Sequence, residues 1–197
     1  MKATRILFTI FLLVSCAAAA GAQGGRERGN RARNITADCP RLSALAATEP
    51  LSAEEASLLL FMREEEKLAR DVYQYLSQKW QIRIFNNIAA SEQRHFNAIG
   101  TLITRYELDD AAKPAAGEFT NPELQQLYYD LTARGTASLV EAMKVGVLIE
   151  EKDIEDLQEA IGKTDNKDIL VVYGNLLNGS LNHLSAFQSH LDALGAN

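Results

Sequence analysis

The sequence predicts an all-α fold, a four-helix bundle with one long crossover that carries a short fifth helix. Three observations lead there. Four long segments repeat their apolar residues with the 3.6-residue period of an amphipathic helix. The loops joining the first segment to the second, and the third to the fourth, are short, which makes those pairs antiparallel neighbours. The second and third are separated by about thirty residues, and no stretch reads as a convincing strand.

The 197 residues are 47% hydrophobic and carry a formal charge of −6. That balance suits one globular domain with an appendage and excludes nucleic acid as a partner, since no basic face is available to meet phosphate. The appendage is at the front. Lys2 and Arg5 precede a nine-residue apolar run, Ile6 to Val14, and small residues follow from Ser15 to Ala20. The run is too short to span a bilayer and has the layout of a secretory signal peptide at 1–22. Leu13-Val14-Ser15-Cys16 resembles a bacterial lipobox, which would lipidate Cys16 and tether the protein to a membrane; Ala20-Gly21-Ala22 fits ordinary cleavage. Either site implies export, to the cell envelope as a lipoprotein or to the periplasm or medium. Residues 23–49, rich in Gly, Arg and Asn at first, read as a flexible tether. Cys39 is the one other cysteine, so the fold must stand on its core rather than on a disulfide.

The domain is expected over 50–195. Ser52 with Glu55 three residues on forms a capping box, and Leu51 is placed for a hydrophobic staple. The segment from Ala53 to about Gln78 has no Gly or Pro and keeps Leu58, Phe61, Met62, Leu68, Ala69, Val72 and Leu76 on one face. Asn86 or Asn87 caps the second helix, which runs to about Tyr106. Asn121-Pro122 is a cap-and-first-turn pair opening the short helix, which ends at Gly135. Thr136 or Ser138 starts the third long helix, to Gly162. Asp165 or Asn166 starts the fourth, to about Leu194.

Each long helix sends an ionisable residue toward the core. Glu92 and His95, three apart, share the face of Ile88, Ile99 and Leu102. Glu65 falls at the centre of the first helix's apolar face. Glu66 lies about 100° around, beside Met62, Ala69 and Tyr73. Glu64 should face solvent. Glu150 lies in line with Met143, Val147 and Ile154, with Asp153 near the edge, and Gly146 one turn earlier permits a close approach. His183 and Ser180 lie on the inner face of the last helix. Buried carboxylates meeting in one layer repel one another and cost several kcal/mol each unless they are protonated, opened to water or neutralised by cations. No Lys or Arg is expected on these faces, which favours metal.

These residues resemble the ferritin-like di-iron carboxylate superfamily, in particular its rubrerythrin branch, with a Glu, a Glu-x-x-His, a Glu and a second Glu-x-x-His on successive helices. Glu66-Lys67-Leu68-Ala69-Arg70-Asp71-Val72-Tyr73 looks like the first-helix motif and favours Glu66 over Glu65. Within the superfamily the chain is most similar to an uncharacterised family, DUF2202, through Glu64 to Tyr73, Glu150-Glu151-Lys152-Asp153-Ile154 and Asn182-His183-Leu184. The resemblance implies a ferritin-like bundle with Glu66, Glu92, His95, Glu150 and His183 as ligands of one or two metal ions, and Tyr73 as a hydrogen-bond partner. Iron is the implied metal, with Mn or Zn chemically reasonable. Ser180 departs from the pattern, standing where a fourth Glu would be; Glu65 or Asp153 could supply the missing charge. The function implied is an exported metal-binding protein, with oxygen- or peroxide-linked redox activity if it is an enzyme. The alternative is a non-catalytic envelope or interaction bundle with a vestigial site. A homodimer stays open.

Overall fold

The computed structural model describes residues 50–196. Among them are five α-helices and no strand: α1 (Ala53–Trp80), α2 (Arg83–Arg105), α3 (Pro122–Gly135), α4 (Leu139–Ile161) and α5 (Lys167–Ala193). The leader with Cys16, the tether at 23–49 and Cys39 lie outside the described residues. No described helix is long and apolar enough to cross a membrane.

The helix starts follow local chemistry in most cases. The Ser52 hydroxyl accepts from Glu55 N at 3.2 Å while the Ser52 N–H donates to the Glu55 carboxylate at 2.8 Å, completing the capping box of α1. The Asn121 side chain accepts from Glu123 N and Leu124 N with Pro122 in the first turn of α3. Of the two candidates for α4, Ser138 is the cap. Two starts differ from expectation. α2 opens at Arg83, before Asn86 and Asn87, with Ile82 as an N-cap that has no side-chain hydrogen bond. Gln81 takes a left-handed conformation (φ 55°) that reverses the chain at once, and Ile84 and Phe85 are thereby carried into the core as helical residues. Asn166 occupies the N-cap position of α5, but its amide donates to Glu55 Oε1 at 2.8 Å instead of capping.

α1 packs chiefly on α2 and α4 chiefly on α5, with α1 also against α4 and α2 against α5. Their apolar side chains form two separate groups. One contains Leu59 and Met62 of α1, Ile99 and Leu102 of α2, Leu157 of α4 and Leu176 of α5. The other contains Leu68 and Val72, Phe85 and Ile88, Met143 and Val145, and Phe187. Reading each helix from group to group, α1 and α5 run one way and α2 and α4 the other. The successive long helices α2 and α4 are therefore parallel, which requires a connection as long as the bundle, about 35 Å for a 23-residue helix.

That connection corrects one expectation. Glu64 is not solvent-facing: its carboxylate accepts from Thr120 N at 2.6 Å and Asn121 N at 2.9 Å. Lys67, off the inner faces from which Lys and Arg were expected to be absent, is fully buried under the crossover. Its ammonium donates to Asp71 at 2.6 Å and to the carbonyls of Ala115 and Glu118, and Asp71 accepts from Gly117 N at 2.9 Å. The crossover has backbone groups with no ladder of its own, and α1 satisfies them with charged side chains on the face turned away from the bundle centre.

Candidate metal centre

All four long helices cross the gap between the two apolar groups, and there they carry ionisable residues. Glu66, Glu92, His95, Glu150, Asp153 and His183 are each between 1% and 9% exposed, and Ser180 is fully buried. Helical spacing explains the stacking. Glu92 and His95, Glu150 and Asp153, and Ser180 and His183 are each three residues apart, so each pair occupies one face within one turn.

Glu92 is the hub. One of its oxygens lies 2.8 Å from His95 Nδ1, and the other lies 2.7 Å from His183 Nδ1. His95 Nδ1 is also 3.3 Å from Glu66 Oε2, and His183 Nδ1 is 3.4 Å from Glu150 Oε2. Two triads result, Glu66–Glu92–His95 and Glu92–Glu150–His183, in each of which the ligand-type atoms lie within 4.8 Å of one another. The two imidazole rings stack with centroids 5.6 Å apart.

Although these atoms are close, they are not satisfied. Glu66 Oε1 is buried without a hydrogen-bond partner, and the contacts of Glu92 Oε1, His95 Nδ1 and His183 Nδ1 are at ion-pair distance without hydrogen-bond alignment. For bonds of about 2.1 Å at right angles, adjacent ligand atoms are separated by about 3.0 Å, and the observed 2.7–3.4 Å brackets that value. Each triad therefore offers a donor set and spacing that could hold a metal ion, and Glu92 belongs to both.

The protonation equilibria reflect the crowding. Burial opposes charge on His95, yet Glu66 and Glu92 hold its pKa up to about 11. His183 is held at about 9 against burial by Glu150 and Glu92. Burial would raise Glu92, but the two histidines bring it down to about 2. Glu66 is pushed well up by burial and by Asp153, and Glu150 to about 8 by burial and Glu92. A metal-free site thus sets two imidazolium rings around the Glu92 carboxylate, with Glu66 and Glu150 as protonated carboxyl groups.

Side chains around the triads hold them in place. The Tyr73 hydroxyl donates to Glu150 Oε1 at 2.6 Å, and Gly146 leaves room for the Phe187 ring, which a Cβ would approach to 2.5 Å. Gly179 does the same for His95: a Cβ there would lie 2.6 Å from ring atoms Cε1 and Nε2. Ser180 donates a short hydrogen bond to Asp153 Oδ2. Glu65 does not join the triads. It turns toward Asp153 and Asp156, and burial and those neighbours keep its proton on. Asp156, tied to Lys152 at 2.7 Å, escaped the sequence reading because it lies off the apolar face. Gly179 escaped it too; a glycine one residue before Ser180, facing a histidine on another helix, was the available signal.

Comparison with known proteins gives the chain a family. The profile of a family described as an uncharacterized protein domain, DUF2202, matches residues 55–197. The chain is 49% identical over 150 residues to the uncharacterized protein MJ0754 of Methanocaldococcus jannaschii, covering 76% of this chain and 81% of that protein. The crystal structure of hypothetical protein MJ0754 superposes with a TM-score of 0.76 at 48% identity, covering 78% of this chain and 88% of that one.

Proposed function

This chain belongs to the DUF2202 family, and from that premise we propose that it is a ferritin-like metalloprotein holding two divalent ions in a carboxylate–histidine centre. Glu66 and His95 would hold one ion and Glu150 and His183 the other, with Glu92 within reach of both. The observation that supports this most directly is the pair of triads sharing Glu92, whose inward atoms are buried, close and without aligned hydrogen bonds. The parallel placement of α2 and α4 across a long crossover supports the ferritin-like reading.

Iron is the metal implied by that likeness, with Mn or Zn matched by the same oxygen and imidazole donors. Iron or manganese bound there would supply one-electron chemistry with oxygen or peroxide. The protein's own part is to fix the ligands, exclude bulk water and hold protons. Tyr73 orients Glu150. Gly179 and Gly146 let His95 and Phe187 close on the site. Export, with tethering through lipidated Cys16, is part of the proposal; it rests on Lys2, Arg5 and the Ile6–Val14 run, and loss of membrane fractionation in Cys16→Ala tests it.

The test of the centre is metal analysis of protein purified without chelator, beside Glu92→Ala. Two ions per chain are expected for the wild type and none for the variant, because both half-sites lose the shared carboxylate. A wild type that takes up no Fe, Mn or Zn at micromolar free metal refutes the reading and leaves a structural bundle.

A further inference from the structure

We infer that Asp153, clamped by Ser180, supplies the fourth carboxylate of the metal centre. This deepens the metal-centre reading and rests on it. Two divalent ions bring four positive charges, and Glu66, Glu92 and Glu150 return three negative ones. A net positive charge sealed between two apolar groups is costly. Some further anion has to enter the layer.

Asp153 has the position and the free atom for it. It lies one helical turn after Glu150 on α4, in the same layer, and it is 6% exposed. Oδ2 accepts the Ser180 hydroxyl, whose oxygen is itself anchored on α5 one turn before His183. Oδ1 is buried and has no hydrogen-bond partner. A structural aspartate at this depth would be expected to use both oxygens. The neighbours that act on it electrostatically include Glu92 and His95, and among carboxylates Glu66 feels Asp153 most strongly. The side chain is thus in electrostatic reach of the triads, with Oδ2 held by Ser180 and Oδ1 without a hydrogen-bond partner.

Ser180 then has a positioning role rather than a vacant one. Serine accepts the short reach of an aspartate from the facing helix, where a longer acidic side chain at 180 would compete for the same space. The fourth charge is carried by α4 as Glu150-x-x-Asp153 and only steadied from α5. A ligand moved to the facing helix leaves α5 contributing a neutral imidazole and a hydroxyl, so the two half-sites differ in how their charge is distributed.

The experiment is equilibrium dialysis against Mn(II) with metal counted by mass spectrometry, on the full chain and three variants. Asp153→Asn keeps the shape and removes the charge; it is expected to hold one ion where the wild type holds two, or to bind the second at least tenfold more weakly. Ser180→Ala is expected to retain both ions with weakened binding of one. The double variant Asp153→Ser with Ser180→Glu returns the carboxylate from the other helix and is expected to regain two ions. Asp153→Asn binding two ions at wild-type affinity overturns the inference while the metal centre stands. A wild type binding no Mn(II), Fe or Zn overturns the parent reading instead. Circular dichroism of each variant separates loss of folding from loss of binding, and the double variant keeps the inference falsifiable if Asp153→Asn fails to fold.

Discussion

Gly179→Ala separates binding from folding, because its two effects have opposite signs. Alanine is the better helix former by about 1 kcal/mol in a helix interior, and Gly179 lies within α5. Its Cβ, however, would lie 2.6 Å from Cε1 and Nε2 of His95, against an ordinary carbon contact of about 3.5 Å. The ring has to retreat by about 1 Å. Nδ1 travels with it, away from Glu92 and Glu66, and a metal–nitrogen bond of about 2.1 Å does not survive a displacement of that size. The metal-free variant should therefore melt at the wild-type temperature or up to about 4 °C above it, with unchanged helical circular dichroism. Its Mn(II) content should fall from two ions to one, the ion on the Glu66 side being lost. A variant that keeps two ions at wild-type affinity refutes the placement of His95 Nδ1 as a ligand atom pressed into position by Gly179.

Tyr73→Phe removes the hydroxyl that orients Glu150 and should weaken one ion about 10- to 100-fold with little change in fold, checked by the same dialysis. Lys67→Met leaves Asp71 buried beside unpaired crossover carbonyls, and should cost about 3–5 kcal/mol in urea denaturation; a loss below 1 kcal/mol would contradict its role as the anchor of the crossover. Burial would raise the pKa of Glu55, but hydrogen bonds from Thr164, Ser52 and Asn166 outweigh it and hold it at about 2. Its stabilisation is therefore full above the unfolded value of 4.5 and is lost as pH falls toward 2. Glu55→Gln should cost about 1–2 kcal/mol at pH 7, after allowance for solvent screening, and almost nothing near pH 2. Metal binding should release protons, since His95 and His183, held at about 11 and 9, are charged at pH 7 in the metal-free protein and must lose that proton to bind. Calorimetry in buffers of different ionisation enthalpy should show at least two protons released per pair of ions, with affinity rising as pH rises.

What could be read from the sequence was whatever repeats within one helix. The 3.6-residue period located the four long helices, and Ser52, Asn121 and Ser138 marked three starts by their own hydrogen-bonding chemistry. Glu92 with His95, and Glu150 and His183, came out on inner faces because their apolar neighbours defined those faces. What stayed hidden depended on a second segment. Glu64 and Lys67 look like surface residues until the crossover lies on them. Asp153 seemed marginal at the edge of its face, since only the Ser180 hydroxyl from α5 draws it inward. The choice between Glu65 and Glu66 turned on a fraction of a helical turn. The fold sends Glu66 to His95 and Glu65 to Asp156, so both are buried but for different partners.

A comparison within the molecule distinguishes a functional polar layer from a structural one. Lys67 and Asp71 form a buried ion pair whose charges are spent: the ammonium makes three hydrogen bonds, and the Asp71 carboxylate takes Lys67, Arg70 and Gly117 N. That is how a structural cluster lowers the cost of burial. Between the two apolar groups the pattern is reversed. Distances are as short, yet Glu66, Glu92, His95, Asp153 and His183 each keep a buried atom that makes no aligned hydrogen bond. The bundle could have met the need for packing there with apolar side chains, as it does on either side. A layer of buried, closely spaced ionisable groups costs stability in the metal-free protein, and metal should return it. Melting temperature should therefore rise with Mn(II) concentration in the wild type by the mass-action relation, remain flat in Glu92→Ala, and rise by less in Asp153→Asn. A wild-type melting temperature indifferent to metal would mean that the layer is satisfied by protons alone, and the difference between the two clusters would then have no functional meaning.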